Sequence, residues 1–310
     1  MQHLIYQNKR LPDVHIVGAA KSGTTSLYQM LLLHPNVFFP DSKKEPMFFC
    51  FGGENPPEKL DPKLKGQAVL DVDAYLDLYA QVRESELAFD GTTAYLYHHE
   101  DTIRHMRQFY GDQVTRVKII ILLRNPIERA WSHYNYLIRN GFETLPFIKA
   151  LDPAVIASRK DQRWGFDYLG FGMYYHQVKA FMDCFPQTKV YLTEDLKSHQ
   201  VLLDNIYSFL GLESINVARS KEVNPSGIPK NRFIVDQLRK NTLLKKVVNI
   251  LPERIKHEAL QKRDKLMSRF LEKKKLEAVD RALLQRYFQD DVVKLGTLIG
   301  RDLTKWLNSN

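Results

Sequence analysis

The segment Gly18-Ala19-Ala20-Lys21-Ser22-Gly23-Thr24-Thr25 sets a lysine and three hydroxyls around two glycines, and Ser26 adds a fourth hydroxyl. An apolar run precedes it and a helical pattern follows, so the loop falls where a strand hands over to a helix N-terminus. Backbone N–H groups there lack intrahelical partners and lie at the positive end of the helix dipole, which suits a phosphate or sulfate. Gly18 and Gly23 let the backbone curl, Lys21 supplies charge, and the hydroxyls supply further donors. The order differs from a Walker A loop, where the lysine follows the second glycine and is itself followed by Ser or Thr. The plainer alternative is a strand-to-helix turn with no ligand. A second segment, Leu123-Arg124-Asn125-Pro126-Ile127-Glu128-Arg129-Ala130-Trp131-Ser132, follows another apolar run. A P-loop NTPase is expected to end such a strand with an Asp that helps to hold magnesium. Arg124 stands here instead, and its guanidinium, with the Ser132 hydroxyl two turns on, is suited to grip a phosphate directly, with no metal. The alternative is that Arg124 and Arg129 pair with surface carboxylates.

Strands and helices must bring these loops together. Asp13 to Val17 reads as a strand, followed by a helix from near Thr24 through Leu27, Met30 and Leu31. Val117 to Leu123 is nearly all apolar, as in a central parallel strand covered on both faces, and Glu128 to Arg139 reads as a helix behind Pro126. Lys189 to Thr193 is a third strand, between helices at Met173 to Cys184 and Val201 to Leu210. The segment from Pro40 to Pro62 reads as a loop excursion, and Leu276 to Trp306 as closing helices. The alternation predicts an α/β fold: a P-loop-like, doubly wound parallel sheet flanked by helices, with a helical C-terminal region.

Composition narrows the class. With 44% hydrophobic residues, 310 residues suffice for one large α/β domain. The expected division is a core over 12–235, a basic amphipathic segment over 236–275 and closing helices over 276–310. No window approaches the roughly 18 apolar residues of a membrane span, and Met1 to Arg10 is polar where a secretory leader is apolar. Cys50 and Cys184 give neither a disulfide framework nor zinc-ligand spacing. The expectation is a soluble, cytoplasmic protein with no metal site. The net charge of +9 is local: Arg239 to Lys275 holds 13 Lys and Arg against 4 Asp and Glu, and the rest of the chain balances. Leu243, Leu244, Val247, Val248, Leu251, Ile255, Leu260, Leu266, Phe270 and Leu271 recur there at helical spacing, which predicts two amphipathic helices broken near Pro252. That face is either simply solvated or a surface for an acidic glycan, an anionic membrane or an acidic partner protein. It lacks interleaved aromatics, so nucleic acid is not an expected partner.

Taken together, Lys21-Ser22-Gly23-Thr24-Thr25 and Arg124-Asn125-Pro126 with Ser132 resemble the two phosphate motifs of the sulfotransferases that use 3′-phosphoadenosine-5′-phosphosulfate (PAPS). The likeness runs on through Gly172-Met173-Tyr174, Phe185-Pro186, Glu194-Asp195-Leu196, Phe209-Leu210-Gly211-Leu212 and Gly227-Ile228-Pro229-Lys230-Asn231-Arg232, and Tyr287 to Trp306 is similar to the end of bacterial members. In motif the chain is closest to the bacterial enzymes and the heparan sulfate sulfotransferase group. The resemblance implies that Lys21, Ser22, Gly23, Thr24, Thr25 and Ser26 hold the 5′-phosphosulfate of PAPS. It assigns the 3′-phosphate to Arg124 and Ser132, and closure over the nucleotide to Lys230, Asn231 and Arg232.

The same resemblance points to the base. Lys43-Lys44-Glu45-Pro46-Met47-Phe48-Phe49 is similar to the segment of the heparan sulfate group whose Glu is the catalytic base, which implies Glu45 in that role beside Lys21. Apolar Met47 and Phe48 would raise the pKa of Glu45 and Lys43 and Lys44 would lower it. Phe89-Asp90-Gly91-Thr92-Thr93-Ala94-Tyr95 resembles a strand-to-loop motif lining the acceptor cleft, which implicates Lys44, Thr92, Tyr95 and His98. Gly91 departs from the heparan sulfate enzymes, which carry Lys there. His98 and His99 read as a pair of surface histidines, the other reading being an alternative base or an acceptor contact. The implied reaction is in-line transfer of a sulfuryl group from PAPS to a hydroxyl or amine, on a saccharide or glycolipid or else a lipid or polyketide, releasing the desulfated nucleotide PAP. The rival readings are a P-loop kinase acting on ATP, and a non-catalytic protein that binds polyanions or membranes.

Overall fold

The computed structural model describes residues 3–53, 66–159, 164–217, 228–229, 271–272 and 274–308. A short hairpin of β1 (Ile5–Tyr6) and β2 (Lys9–Arg10) leads into the main sheet. That sheet contains β3 (Val14–Gly18), β4 (Val37–Phe38), β5 (Leu87–Asp90), β6 (Lys118–Leu123) and β7 (Gln187–Leu192), all parallel, in the order β4-β5-β3-β6-β7. The helices are α1 (Thr24–Leu31), α2 (Phe48–Phe51), α3 (Val72–Asp77), α4 (His99–Tyr110), α5 (Pro126–Arg139), α6 (Phe147–Ala150), α7 (Pro153–Ser158), α8 (Tyr174–Cys184), α9 (His199–Leu210) and α10 (Ala278–Ile299). The expected doubly wound α/β architecture is the one observed.

The apolar run of β6 shows why. Its Ile120 and Leu122 pack with Leu27 and Leu31 of α1 and Leu203 and Ile206 of α9. Ile119, Ile121 and Leu123 belong to the opposite core, with Phe49, Met106, Ile127, Phe181 and Phe288. Side chains alternate across a strand, so a strand covered on both faces must be apolar throughout. Each fully buried side chain of this size stabilises the fold by about 1.5–3 kcal/mol.

Capping explains where elements begin. Helix α5 starts at Pro126, two residues before the expected Glu128, because Asn125 caps it: Asn125 Oδ1 accepts from Ile127 N at 2.9 Å and Glu128 N at 3.4 Å. Proline suits the first helical position because it has no N–H to leave unpaired. Helix α8 is capped from across the core, where the Asp291 carboxylate of α10 accepts from Tyr174 N at 2.8 Å and Tyr175 N at 3.0 Å.

Three expectations change. The closing region is one long helix, α10, followed by a 3-10 turn at Thr304–Trp306 rather than several helices. Within the Pro40 to Pro62 excursion, Phe48, Phe49, Cys50 and Phe51 are all buried and form the short α2, with Phe48 stacked on Tyr75 at 4.1 Å. The last part of the basic segment is not helical. Leu271–Glu272 is a strand, β9, paired antiparallel with Ile228–Pro229, β8, and the Lys274 carbonyl accepts from the Trp131 indole at 3.0 Å. These pairings hold the backbone extended there. Residues 230–270, which include most of the basic segment, lie outside the described residues.

The topology selects a position for a ligand. After β3 the chain crosses to the β4 edge, whereas after β6 it crosses to the β7 edge. The carboxyl ends of β3 and β6 therefore flank a switch point, the crevice where ligands of open α/β sheets bind. The Lys21 loop leaves β3 there and Arg124 leaves β6.

Candidate functional site

The turn after β3 depends on its glycines for two reasons. A Cβ on Gly18 would lie 2.6 Å from the Leu96 Cβ, so only glycine allows this close approach. Gly23 has φ +94°, and a Cβ there would also meet the Leu196 side chain at 2.7 Å. Gly23 is the N-cap of α1 and offers no side-chain cap, so no side chain competes with a ligand for the first N–H groups. Lys21 itself is left-handed, at φ 71°. Non-glycine residues adopt that geometry seldom, and it recurs where a loop shapes a site.

The two loops are stitched to one another. The Thr193 hydroxyl, just past β7, lies 2.8 Å from the Ser22 carbonyl and 3.0 Å from the Leu123 carbonyl. Arg124 Nη1 donates to the Lys21 carbonyl at 3.4 Å. Among the hydroxyls of the turn, Thr25 and Ser26 are half-buried, whereas Ser22 is fully buried and Thr24 buried.

Charge concentrates around Lys21. Its ammonium lies 4.5 Å from the centre of the Tyr136 ring, and the Arg139 guanidinium lies 5.6 Å from the same ring. Burial pushes the Lys21 pKa down to about 8, reinforced by Arg139, Arg124 and Arg129 and opposed by Glu45. Cations held together at the cost of basicity mark a place where an anion is stabilised. Arg124 Nη2 is 3.9 Å from Glu128 Oε2, and the other oxygen of Glu128 is bonded to Arg281 of α10. Ser132 lies one turn beyond Glu128 on α5 and is half-buried. Arg129 is fully buried and donates to the Tyr168 carbonyl, with His133 Nδ1 at 3.2 Å from its Nη1. It thus serves the core and does not pair with a surface carboxylate.

Glu45 faces this cluster from the loop before α2. Its Oε2 accepts from the Thr93 hydroxyl at 2.9 Å and from Thr93 N at 3.3 Å. Its Oε1 is 3.9 Å from the Lys44 ammonium, and the side chain keeps 28% of its exposure. Lys44 Nζ donates to the Thr25 hydroxyl at 2.9 Å. Burial holds its pKa below the usual lysine range, with Glu45 opposing.

Two expected acceptor contacts turn inward. Thr92 and Tyr95 are fully buried, and their hydroxyls donate to Asp90 at 2.6 Å and 2.8 Å. Burial raises the Asp90 pKa to about 6, although the hydrogen bonds from Thr92, Tyr95 and Tyr75 pull it down. These two residues shape the cleft wall from behind and do not line it. His98 is not a surface histidine either: its ring packs against Phe51 at 4.9 Å and Tyr97 at 4.8 Å. Burial pushes its pKa down to about 4, so it is neutral at pH 7. Lys230, Asn231 and Arg232 lie outside the described residues, though β8, which directly precedes them, runs beside α5.

Four residues of the site escaped the sequence. Thr93, Tyr136, Arg139 and Thr193 carry no charge pattern that separates them from their neighbours before folding. Tyr136 had one available signal, its spacing of one helical turn from Ser132, which puts both on one face of α5.

No family model matches the chain. Curated relatives include a bifunctional heparan sulfate N-deacetylase/N-sulfotransferase 1 of Caenorhabditis briggsae, 32% identical over 136 residues, which are 43% of this chain and 13% of that protein. The mouse heparan sulfate glucosamine 3-O-sulfotransferase 6 is 26% identical over 185 residues, 57% of this chain and 45% of the relative. The chain thus spans only a small part of the length of the first of these and under half of the second. A solved sulfotransferase from Alicyclobacillus acidocaldarius superposes with a TM-score of 0.70 at 28% identity, covering 96% of this chain and 99% of that one. In sequence and in fold, the chain is thus similar to sulfotransferases, both to the solved bacterial enzyme and to the heparan sulfate group.

Proposed function

We propose that the protein transfers a sulfuryl group from PAPS to a hydroxyl or amine of a saccharide acceptor. The observation that carries this reading is the meeting, at one switch point, of an uncapped helix N-terminus with Lys21, an arginine in place of a metal-binding Asp, and a carboxylate facing both lysines. The N–H groups of α1, with Lys21, Thr25 and Ser26, would take the 5′-phosphosulfate. Arg124 and Ser132 would take the 3′-phosphate, and Lys230, Asn231 and Arg232 would close over the nucleotide. Glu45 is the base: it accepts the acceptor proton as the acceptor oxygen or nitrogen bonds to sulfur, while the bond from sulfur to the 5′-phosphate oxygen breaks and PAP leaves. Alignment and charge supply most of the rate enhancement, as in phosphoryl transfer. The heparan sulfate enzymes among the relatives support a saccharide acceptor.

A thermal-shift titration with PAP, beside ATP with magnesium, tests the donor. A ligand at about 100 times its dissociation constant stabilises the native state by about 2.7 kcal/mol. The expected result is a rise in Tm with PAP and no metal, abolished in Lys21→Ala and Arg124→Ala. A response to magnesium-ATP alone would overturn the reading in favour of a kinase.

A further inference from the structure

Lys44 occupies a position that an acceptor contact does not explain. It sits in the loop that carries Glu45, yet among the described residues its one direct hydrogen bond runs away from that loop to Thr25, in the first turn of α1. The approach to its neighbour Glu45 is longer, at 3.9 Å. The Tyr28 ring, also on α1, backs the ammonium at 5.2 Å. Gly91 lies against the same wall: a Cβ there would sit in ordinary contact, 3.5 Å from Phe39 and 3.6 Å from the Lys44 carbonyl. An ammonium has three protons: one goes to Thr25 and one faces Glu45. The third is left for a ligand lying between the helix N-terminus and the base, and 32% of the side chain is exposed to receive it.

We infer that Lys44 binds the sulfuryl group itself, as a second catalytic cation opposite Lys21, rather than the acceptor. The inference rests on the donor reading above. During transfer the bond from sulfur to the acceptor forms, the bond from sulfur to the 5′-phosphate oxygen breaks with its electron pair staying on PAP, and the acceptor proton passes to Glu45. The non-bridging oxygens of the sulfuryl group remain negative throughout, between the donor loop and the base. Lys21 reaches them from the β3 side and Lys44 from the Glu45 side. The arrangement neutralises the group in flight.

The two nucleotides differ in that PAPS carries the sulfuryl group and PAP lacks it, so the test compares their binding without needing an acceptor. Isothermal titration of Lys44→Met is expected to show PAPS affinity reduced about tenfold or more with PAP affinity nearly unchanged, and Lys44→Arg is expected to restore most of the PAPS affinity. Thr25→Val serves as the companion variant: it removes a hydroxyl assigned to the 5′-phosphate that both nucleotides carry, so it is expected to weaken PAPS and PAP alike and to show what loss of that contact alone looks like. Equal weakening of PAPS and PAP in Lys44→Met would overturn the inference and make Lys44 a support of the loop. Unchanged affinity for both would overturn it as well. Failure of the unsubstituted protein to bind either nucleotide would instead sink the donor reading, and this inference with it.

Discussion

Glu45 and Asp90 are two carboxylates held by consecutive threonines, and they end in opposite environments. In the turn that follows β5, Thr93 donates to Glu45 and Thr92 to Asp90. Asp90 Oδ1 accepts from the Thr92 hydroxyl and N–H, Oδ2 accepts from Tyr75 and Tyr95, and the residue is fully buried. Glu45 has one oxygen held and the other facing a lysine across 3.9 Å, with part of its surface open. A carboxylate filled by donors braces a wall, whereas one with a free lone pair beside cations can take a proton.

Replacing each carboxylate with its amide should separate the two roles. Glu45→Gln is expected to lower turnover about 100-fold or more with little change in Tm. Asp90→Asn is expected to cost about 2–4 kcal/mol of stability while PAP binding survives at temperatures where the protein is folded. Urea unfolding beside single-turnover kinetics would decide it. Normal turnover in folded Glu45→Gln would remove its role as base. The pH dependence sharpens the contrast. The Asp90 pKa is raised to about 6 from an ordinary 3.8, so between those values the native state binds more protons than the unfolded state. Its contribution to stability is present in full below about pH 4 and is lost as pH rises through about 6. Asp90→Asn should lack that decline.

The sequence exposed the frame of this site more readily than its walls. Lys21 and Arg124 stand directly after apolar runs long enough to be central strands, so periodicity alone placed both at strand ends, and Asn125-Pro126 announced the helix start. Residues on the acceptor side were harder because adjacent positions differ only in facing. Thr92 and Thr93 are the same residue type, and nothing local says which one meets the core. Tyr95 and His98 carry polar atoms that read as ligand contacts until packing turns them inward against Asp90 and Phe51. Arg129 and Arg124 likewise look alike in sequence, and burial sends one to the Tyr168 carbonyl and leaves the other at the crevice.

The paired threonines offer a finer test, since Val keeps the shape of Thr without its hydroxyl. Thr93→Val removes a donor from Glu45 and should lower turnover about tenfold with nearly unchanged Tm. Thr92→Val takes a donor from a buried carboxylate and should cost about 1–3 kcal/mol of stability with turnover close to normal at permissive temperature. If both variants lost activity and stability alike, the two threonines would not be functionally distinct.

The smallest effect concerns Lys21, the cation that faces Glu45 across the crevice. Burial and three nearby guanidiniums hold its pKa near 8, so it is mostly charged at pH 7 and mostly neutral above pH 9. An anion bound beside it opposes both causes and raises the pKa, so binding takes up a proton in this window. PAP affinity should therefore fall as pH rises, about threefold between roughly pH 7.5 and 8.5 for a single group titrating near 8. Titration calorimetry in two buffers of different ionisation enthalpy would read the proton uptake directly. Lys21→Met should bind PAP more weakly and with no pH dependence across that range. A flat profile in the unsubstituted protein would mean that Lys21 stays charged without a ligand, held so by the Tyr136 ring and Glu45 against the guanidiniums around it.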